Sequence, residues 1–339
     1  MTTFLTRRVL LMIPTLIGIT LIVFMLIALS PGGLSGGAER AASGDAAQRA
    51  AERAYFNERF GLDDPLPLQY LRWLNRVSPV RVGGPIGVSF GTPDLGLSLA
   101  RSRPVVEVIA DALPTTLLLN LLSLIVIYII AVPLGMLAAL RRGTWADNII
   151  RAALIALWSA PVVVAAVALQ GFFGRPGLDW LPSSGLHSID ARDLPFFDYL
   201  LDGARHLVLP VACLSYGSLA VLSRQTRAAV LENLAADHVR AARARGLPES
   251  EVFARHVVRN SLLPQITLLA AVLPTMLSGS IIVEHVFNLH GMGTLMLESI
   301  DQRDREVLMA CALIVALVNV VSLLIADVLY AIADPRARA

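Results

Sequence analysis

Between Ser223 and Pro264 the chain carries seven arginines and one aromatic residue, Phe253, on a segment flanked by two apolar runs. Read as one helix, Thr226–Arg245 places Val230, Leu231, Leu234, Ala235, Ala241 and Ala242 on one side, with Glu232, Arg240 and Arg243 on the other. The alanines flatten the end of the apolar face and let another backbone or a groove come close. Gly246 stops the helix, because glycine takes the left-handed conformation that a helix C-terminus uses. Pro248 suits the first turn of a second helix running through Val252, Phe253, His256 and Val257. A helix, a glycine break and a second helix with basic edges form a knob whose chemistry is recognition.

Residue usage elsewhere narrows the function classes. All 28 basic residues are arginine. A phosphate-binding loop needs a lysine on the β- and γ-phosphates, and Schiff-base chemistry needs a lysine amine. Neither is available, so any ATP must be bound by another subunit. Cys213 and Cys311 both lie in apolar runs and read as packing residues rather than a disulfide framework. The six histidines are scattered, with no pair at ligand spacing, so no metal or other cofactor is expected in this chain. An intramembrane serine protease is disfavoured, because Gly96-Leu97-Ser98-Leu99 lies in a polar loop and His206 has no serine partner. A proton-coupled secondary transporter is the alternative function. It would need ionisable residues near mid-span and paired broken helices, which the sequence does not display.

The elements that must position the knob are membrane spans. The chain is 55% hydrophobic and 16% charged, with mean hydropathy +0.66, a balance that belongs to a polytopic membrane protein. A spanning helix needs about 20 apolar residues. Six runs qualify or nearly do: Val9–Leu29, Ala112–Leu140, Ala152–Gly174, His206–Ser223, Ser261–Val283 and Val307–Ala326. His206–Ser223 is marginal and is expected to gain a turn at each end. Residues 1–30 form the first span and 31–111 a small insert, in which helices are expected over Ala41–Phe60 and Leu66–Val77 and a loop over Gly83–Gly96. The membrane domain proper is expected over 112–333, with spans near 112–140, 152–174, 206–223, 261–284 and 307–330 and the knob in loop 224–262; residues 334–339 are a tail. Nearly every span contains proline (Pro14, Pro114, Pro133, Pro161, Pro210, Pro264, Pro274), which suggests kinks. Asn120, Gln170 and Asn319 are expected to hydrogen-bond between helices.

Arginine distribution orients the spans. Arg7, Arg8, Arg141, Arg142, Arg151, Arg336, Arg338 and the seven of the knob segment fall on one side, whereas few, Arg175, Arg192, Arg303 and Arg305 among them, fall in the short loops opposite. The positive-inside rule puts both termini and the knob in the cytoplasm and the insert outside.

Arg240-Ala241-Ala242-Arg243-Ala244-Arg245-Gly246, followed by Leu247, resembles the EAA loop of binding-protein-dependent ABC permeases, a pattern of Glu-Ala-Ala, three residues, then Gly. Arg240 stands at the Glu position, a departure from the generic pattern that is similar to the dipeptide/oligopeptide branch. Arg255-His256-Val257-Val258-Arg259-Asn260-Ser261-Leu262-Leu263-Pro264 resembles the stretch that follows in that branch. Further matches are Ser30-Pro31-Gly32, Gly61 to Pro67, Leu113-Pro114-Thr115-Thr116, Glu284 with Phe287 and Gly291-Met292-Gly293, and Asp334-Pro335-Arg336. Gly185–Pro210 resembles the sub-branch associated with microcin-C-like and longer peptides. The resemblance implies an all-α, six-span importer permease in the bacterial inner membrane, with Arg240 to Leu247 coupling it to ATPases. It further implies a second homologous permease subunit, two ATP-binding cassette subunits that hold ATP and Mg2+, an extracytoplasmic substrate-binding protein and a peptide-like substrate. Membrane lipid is the surrounding partner, and no nucleic-acid partner is expected.

Overall fold

A computed structural model describes residues 2–30, 54–82, 87–174, 177–262, 265 and 280–333. The expected span Ser261–Val283 lies largely outside these residues, as do Pro264, Pro274, most of the helix expected over 41–60, residues 83–86 of the expected loop and the 334–339 tail. The helices are α1 (Thr2–Ala28), α2 (residues 54–60), α3 (Leu66–Val77), α4 (Val105–Leu140), α5 (Trp145–Ser159), α6 (Val162–Phe173) and α7 (Phe196–Leu234). They continue with α8 (Asp237–Ala244), α9 (residues 249–261), α10 (Ile281–Val286), α11 (Met292–Asp301) and α12 (Arg305–Ala333). Two antiparallel ribbons interrupt the helices: β1 (Val80–Val82) with β2 (Val88–Phe90), and β3 (Leu97–Ser98) with β4 (Arg103–Pro104).

Among the described residues four helices are long and apolar enough to cross a membrane, and the bent pair α5–α6 would make a fifth. Their outward surfaces carry Leu10, Ile13 and Ile22 on α1 and Leu121, Ile125 and Ile129 on α4. So much exposed aliphatic surface fits a lipid environment. α4 starts at Val105, ahead of the expected Ala112, and two other differences between expected and observed spans are larger. His206–Ser223 is not a marginal span but the middle of the 39-residue α7, which runs on into the arginine-rich segment. Ala152–Gly174 is not continuous, because α5 and α6 meet at 99° around Ala160-Pro161. Pro161 has no N–H to carry the helix across the break. Pro14, Pro133 and Pro210 lie inside unbroken helices, so proline alone does not decide where a span breaks.

Contacts divide the chain into two compact units, Thr115–Gly293 with Val321–Ala339, and Thr2–Pro114 with Thr294–Val320. The second unit is built on an aromatic core. The 66–77 helix forms with the expected bounds and buries Tyr70, Trp73 and Val77. They pack with Phe24 of α1, Phe56 and Phe60 of α2, and Met309 and Leu313 of α12. The Tyr70 hydroxyl lies 2.9 Å from Thr20 Oγ1 and donates to the Ile17 carbonyl at 3.2 Å, well inside the apolar run of α1. Beside this core Arg59, 5% exposed, pairs with the 2%-exposed Glu306 at 2.5 Å and with Asp94 at 2.8 Å. Burial alone would push the Asp94 carboxyl up, but the hydrogen bond and charge of Arg59 outweigh it and hold the group below its usual range. Ser98 donates to Asp304 at 2.5 Å, and Arg101 pairs with Glu298 at 2.7 Å. The described insert residues, 54–82 and 87–104, are thus folded onto α1, α11 and the start of α12.

In the first unit α7 is the central element. At Gly135 of α4 a Cβ would lie 2.5 Å from the Ser223 carbonyl and 2.7 Å from the Thr226 side chain of α7, so glycine lets the two backbones meet. The α6 side is packed through Ala166, Leu119, Leu209, Val211, Cys213, Val283 and Phe287. Of the polar span residues, Gln170 donates to the carbonyls of Ser183 (2.7 Å) and Val286 (3.1 Å), as expected of a tie between segments. Asn120 instead donates to the Thr116 carbonyl of its own helix.

Candidate coupling site

The arginine-rich segment is three helices rather than two. α7 ends at Leu234, Ala236 takes an extended conformation (φ −71°, ψ 148°), and α8 starts at Asp237. The break resets the helical phase, which corrects the single helix expected over Thr226–Arg245. Val230 and Ala242 are buried as expected, but Ala235 and Ala241 face outward and Val239 takes the inner position. The periodicity of one unbroken helix cannot locate Val239.

α8 closes in a Schellman motif. The Leu247 N–H donates to the Ala242 carbonyl (3.4 Å) and the Gly246 N–H to the Arg243 carbonyl (2.9 Å), with Gly246 at φ +80°. This is the 6→1 and 5→2 pairing that satisfies helix-end carbonyls, and it needs a left-handed residue at Gly246. Leu247 completes it by packing into the cluster that contains Ala242. Pro248 follows in an extended conformation as the residue before the next helix rather than within its first turn, and its carbonyl accepts from Glu251 (2.9 Å) and Val252 (3.0 Å).

α9 then runs back over α8. Its centre, Val252–Val258, is π-helical. Val252 and Val257, five residues apart, would diverge on a regular α-helix; the wider π turn lets both bury against Val230, Val239, Ala242 and Ala139. The Ser261 hydroxyl donates to the Ala229 carbonyl at 3.2 Å and ties the end of α9 to α7. Across the glycine break Arg243 makes a two-pronged contact with Glu249, at 2.8 and 3.1 Å.

The stem is braced from the first turn of α5. Asp147, 1% exposed, accepts from both Nε (2.9 Å) and Nη2 (2.8 Å) of Arg227, and from the Gly143 N–H at 3.1 Å. Arg224 places its guanidinium 5.9 Å from the centre of the Trp158 ring.

The structure gathers the expected residues as follows. Arg240, Ala241, Arg243, Ala244, Arg245 and Gly246 lie on the exposed side of the turn, while Ala242 is buried and Leu247 half-buried. Around Gly246 no atom lies within 4 Å of where a Cβ would stand, so glycine is required there by backbone conformation and not by packing. The surface shown by the turn is small side chains between arginines. It has no nucleophile–base pair and, among the described residues, no group of side chains placed to hold a metal. Its shape suits docking.

A second constellation joins motif pieces far apart in sequence. The Thr116 hydroxyl donates to the buried Glu284 carboxylate (2.9 Å) and accepts from the Met292 N–H (2.7 Å). A Cβ on Gly291 would lie 2.5 Å from Glu284, and one on Gly293 would lie 2.8 Å from the Ile281 backbone. Thr116 and Gly291-Met292-Gly293 are thus two sides of one packed joint. Nothing in either motif announces that the two meet.

The family model described as binding-protein-dependent transport system inner membrane component matches residues 131–339, and its N-terminal companion matches residues 1–120. The chain is 35% identical to the oligopeptide transport system permease protein AppB of Bacillus subtilis, covering 99% of both chains. It is 31% identical to the dipeptide transport system permease protein DppB of Alkalihalophilus pseudofirmus, over 97% of both chains. It is also 31% identical to the glutathione transport system permease protein GsiC of Salmonella paratyphi A, over 98% of this chain and 97% of the relative. A multi-pass helical chain with a glycine-broken basic knob, matched end to end in this way, belongs to the family of inner membrane components of binding-protein-dependent transport systems.

Proposed function

We propose that this chain is a permease subunit of an ATP-driven importer of peptides or peptide-like solutes, and that the turn Arg240 to Leu247 is where the ATPase subunits take hold. The observation that carries the reading is the Schellman-closed α8 with small and basic residues on its outer side, standing on the braced end of α7. A protrusion that transmits force must not flex at its base. The Val239–Ala242–Val252–Val257 cluster and the Asp147–Arg227 pair supply that stiffness. Energy enters from other chains, because a chain without lysine has no phosphate-loop amine. ATP and Mg2+ are accordingly assigned to two cassette subunits, with a second homologous permease and an extracytoplasmic binding protein completing the complex. The similarity to oligopeptide, dipeptide and glutathione permeases favours peptide-like solutes and speaks against the proton-coupled alternative.

Six spans, with both termini and the knob in the cytoplasm, fit the arginine distribution. Residues 1–30 then form the first span, 31–111 the extracytoplasmic insert, 112–333 the permease domain with its coupling loop at 224–262, and 334–339 the tail. Gly246→Val tests the coupling assignment. A β-branched residue held at φ +80° is strained by about 1–2 kcal/mol, so the cap should open without loss of the membrane domain. In the reconstituted complex this variant should lose solute-stimulated ATP hydrolysis while membrane insertion stays normal; unchanged stimulation would sink the assignment.

A further inference from the structure

The break between α5 and α6 opens onto a half-open cavity of about 410 Å³ in the first unit. Its walls come from the middle of α4 (Ile127, Tyr128), from the two sides of the break (Trp158, Val162) and from the middle of α7 (Tyr216, Gly217). No lining residue is charged. Both tyrosine hydroxyls are already engaged: Tyr128 donates to the Gln265 carbonyl (2.8 Å) and Tyr216 to the Ala160 carbonyl at the break (2.7 Å). The rings are therefore fixed by their polar ends and present apolar surface inward. Non-helical backbone at membrane depth is tolerated where it is covered by protein or lines a cavity, and Tyr216 covers the carbonyl that the break frees.

We infer that this cavity is a solute subsite of the permease, and that it takes an uncharged, preferably aromatic side chain of a peptide in transit. The inference rests on the peptide-import reading and adds to it a place and a side-chain preference. Three features favour this occupant. The cavity lies halfway along both long helices, where an importer must pass its cargo. It is bounded by three aromatic rings. A dry apolar cavity of about 150 Å³ accepts one benzene-sized ring, so about 410 Å³ has room for the largest side chain but not for a whole oligopeptide. A charged side chain or terminus would meet no counter-charge in the lining and would lose its hydration.

Gly217 gives a direct way to test this, because no atom lies within 4 Å of where its Cβ would stand. Gly217→Leu should fill the cavity from α7, and Gly217→Ala is the milder variant should the larger one fail to assemble. The complex, purified with its native partners and placed in proteoliposomes, is given Ala-Ala-Ala, Ala-Phe-Ala, Ala-Trp-Ala and Ala-Asp-Ala. Uptake is measured against affinity for the same binding protein and against ATP hydrolysis. Expected is a loss of about tenfold for the aromatic peptides relative to trialanine, graded from Ala to Leu at position 217, with trialanine and Ala-Asp-Ala little changed. Equal slowing of all four peptides would overturn the subsite and mark the cavity as the seat of an acyl chain or of a partner subunit's side chain. No change in any of them would overturn it as well. If the unaltered complex takes up none of the peptides under ATP, the peptide-import reading itself has failed, a result distinct from either.

Discussion

The knob at 237–261 and the insert at 54–104 are both small helical additions to membrane helices, yet they are held by opposite means. The insert is fastened by Phe24, Phe60, Tyr70 and Trp73 in one aromatic core and by an Arg59–Glu306 pair withdrawn from solvent. The knob has a core of valines and alanines, and its Arg243–Glu249 pair is exposed. Large rings and buried charge fix one geometry, because any slip leaves cavities or an unpaired ion. Small side chains leave a shallow surface on which another protein can settle. A part locked by rings and buried charge thus stands against a part with a small-residue core and an exposed basic surface.

Breaking each region should show the difference, and the largest effect is expected in the insert. Arg59→Ala leaves Glu306 buried without its partner, and removal of one member of such a pair costs about 3–5 kcal/mol. Folded yield in detergent should fall sharply, with rapid proteolysis of the insert, whereas normal yield would show that the charges are not buried in the protein at work. Gly246→Val comes next, at about 1–2 kcal/mol for a strained left-handed residue. Its signature is loss of coupling at near-normal yield, and a collapse in yield instead would make the turn part of the rigid frame. Tyr70→Phe removes one hydroxyl shared by Thr20 and the Ile17 carbonyl, worth about 0.5–1.5 kcal/mol. A thermal-unfolding scan should register a small downward shift. Arg243→Ala should be smallest, because exposed ion pairs contribute about 0–1 kcal/mol. Unfolding should barely move; a marked loss of ATPase binding at normal stability would place Arg243 itself in the partner's grip.

Much of the molecule was legible from residue types and spacing. Helix 66–77 emerged with its bounds, because Tyr70, Trp73, Leu74 and Val77 recur at helical spacing, and all of these but the half-buried Leu74 are buried. Gly246 was legible as a helix stop for the same local reason: φ +80° is a property of one residue and its neighbours. The apolar runs announced the membrane, although the last of the interior ones, Ser261–Val283, falls largely outside the described residues.

What tertiary structure alone decided has one physical cause, competition between segments distant in sequence. Local propensity would carry α7 through Ala235 and Ala236, both good helix formers, yet the chain breaks there so that Val239 and Ala242 can reach Val252 and Val257. Pro161 and Pro210 are equivalent to local rules, but only Pro161 sits where Tyr216 covers the freed carbonyl and a cavity opens beside it. Thr116 and Glu284 are 168 positions apart, and nothing short of the packed glycines at 291 and 293 brings them together. The sequence by itself determined a lysine-free, arginine-edged membrane chain with a glycine-stopped knob. The fold decided where the helices break, which distant motifs meet, and where a cavity opens.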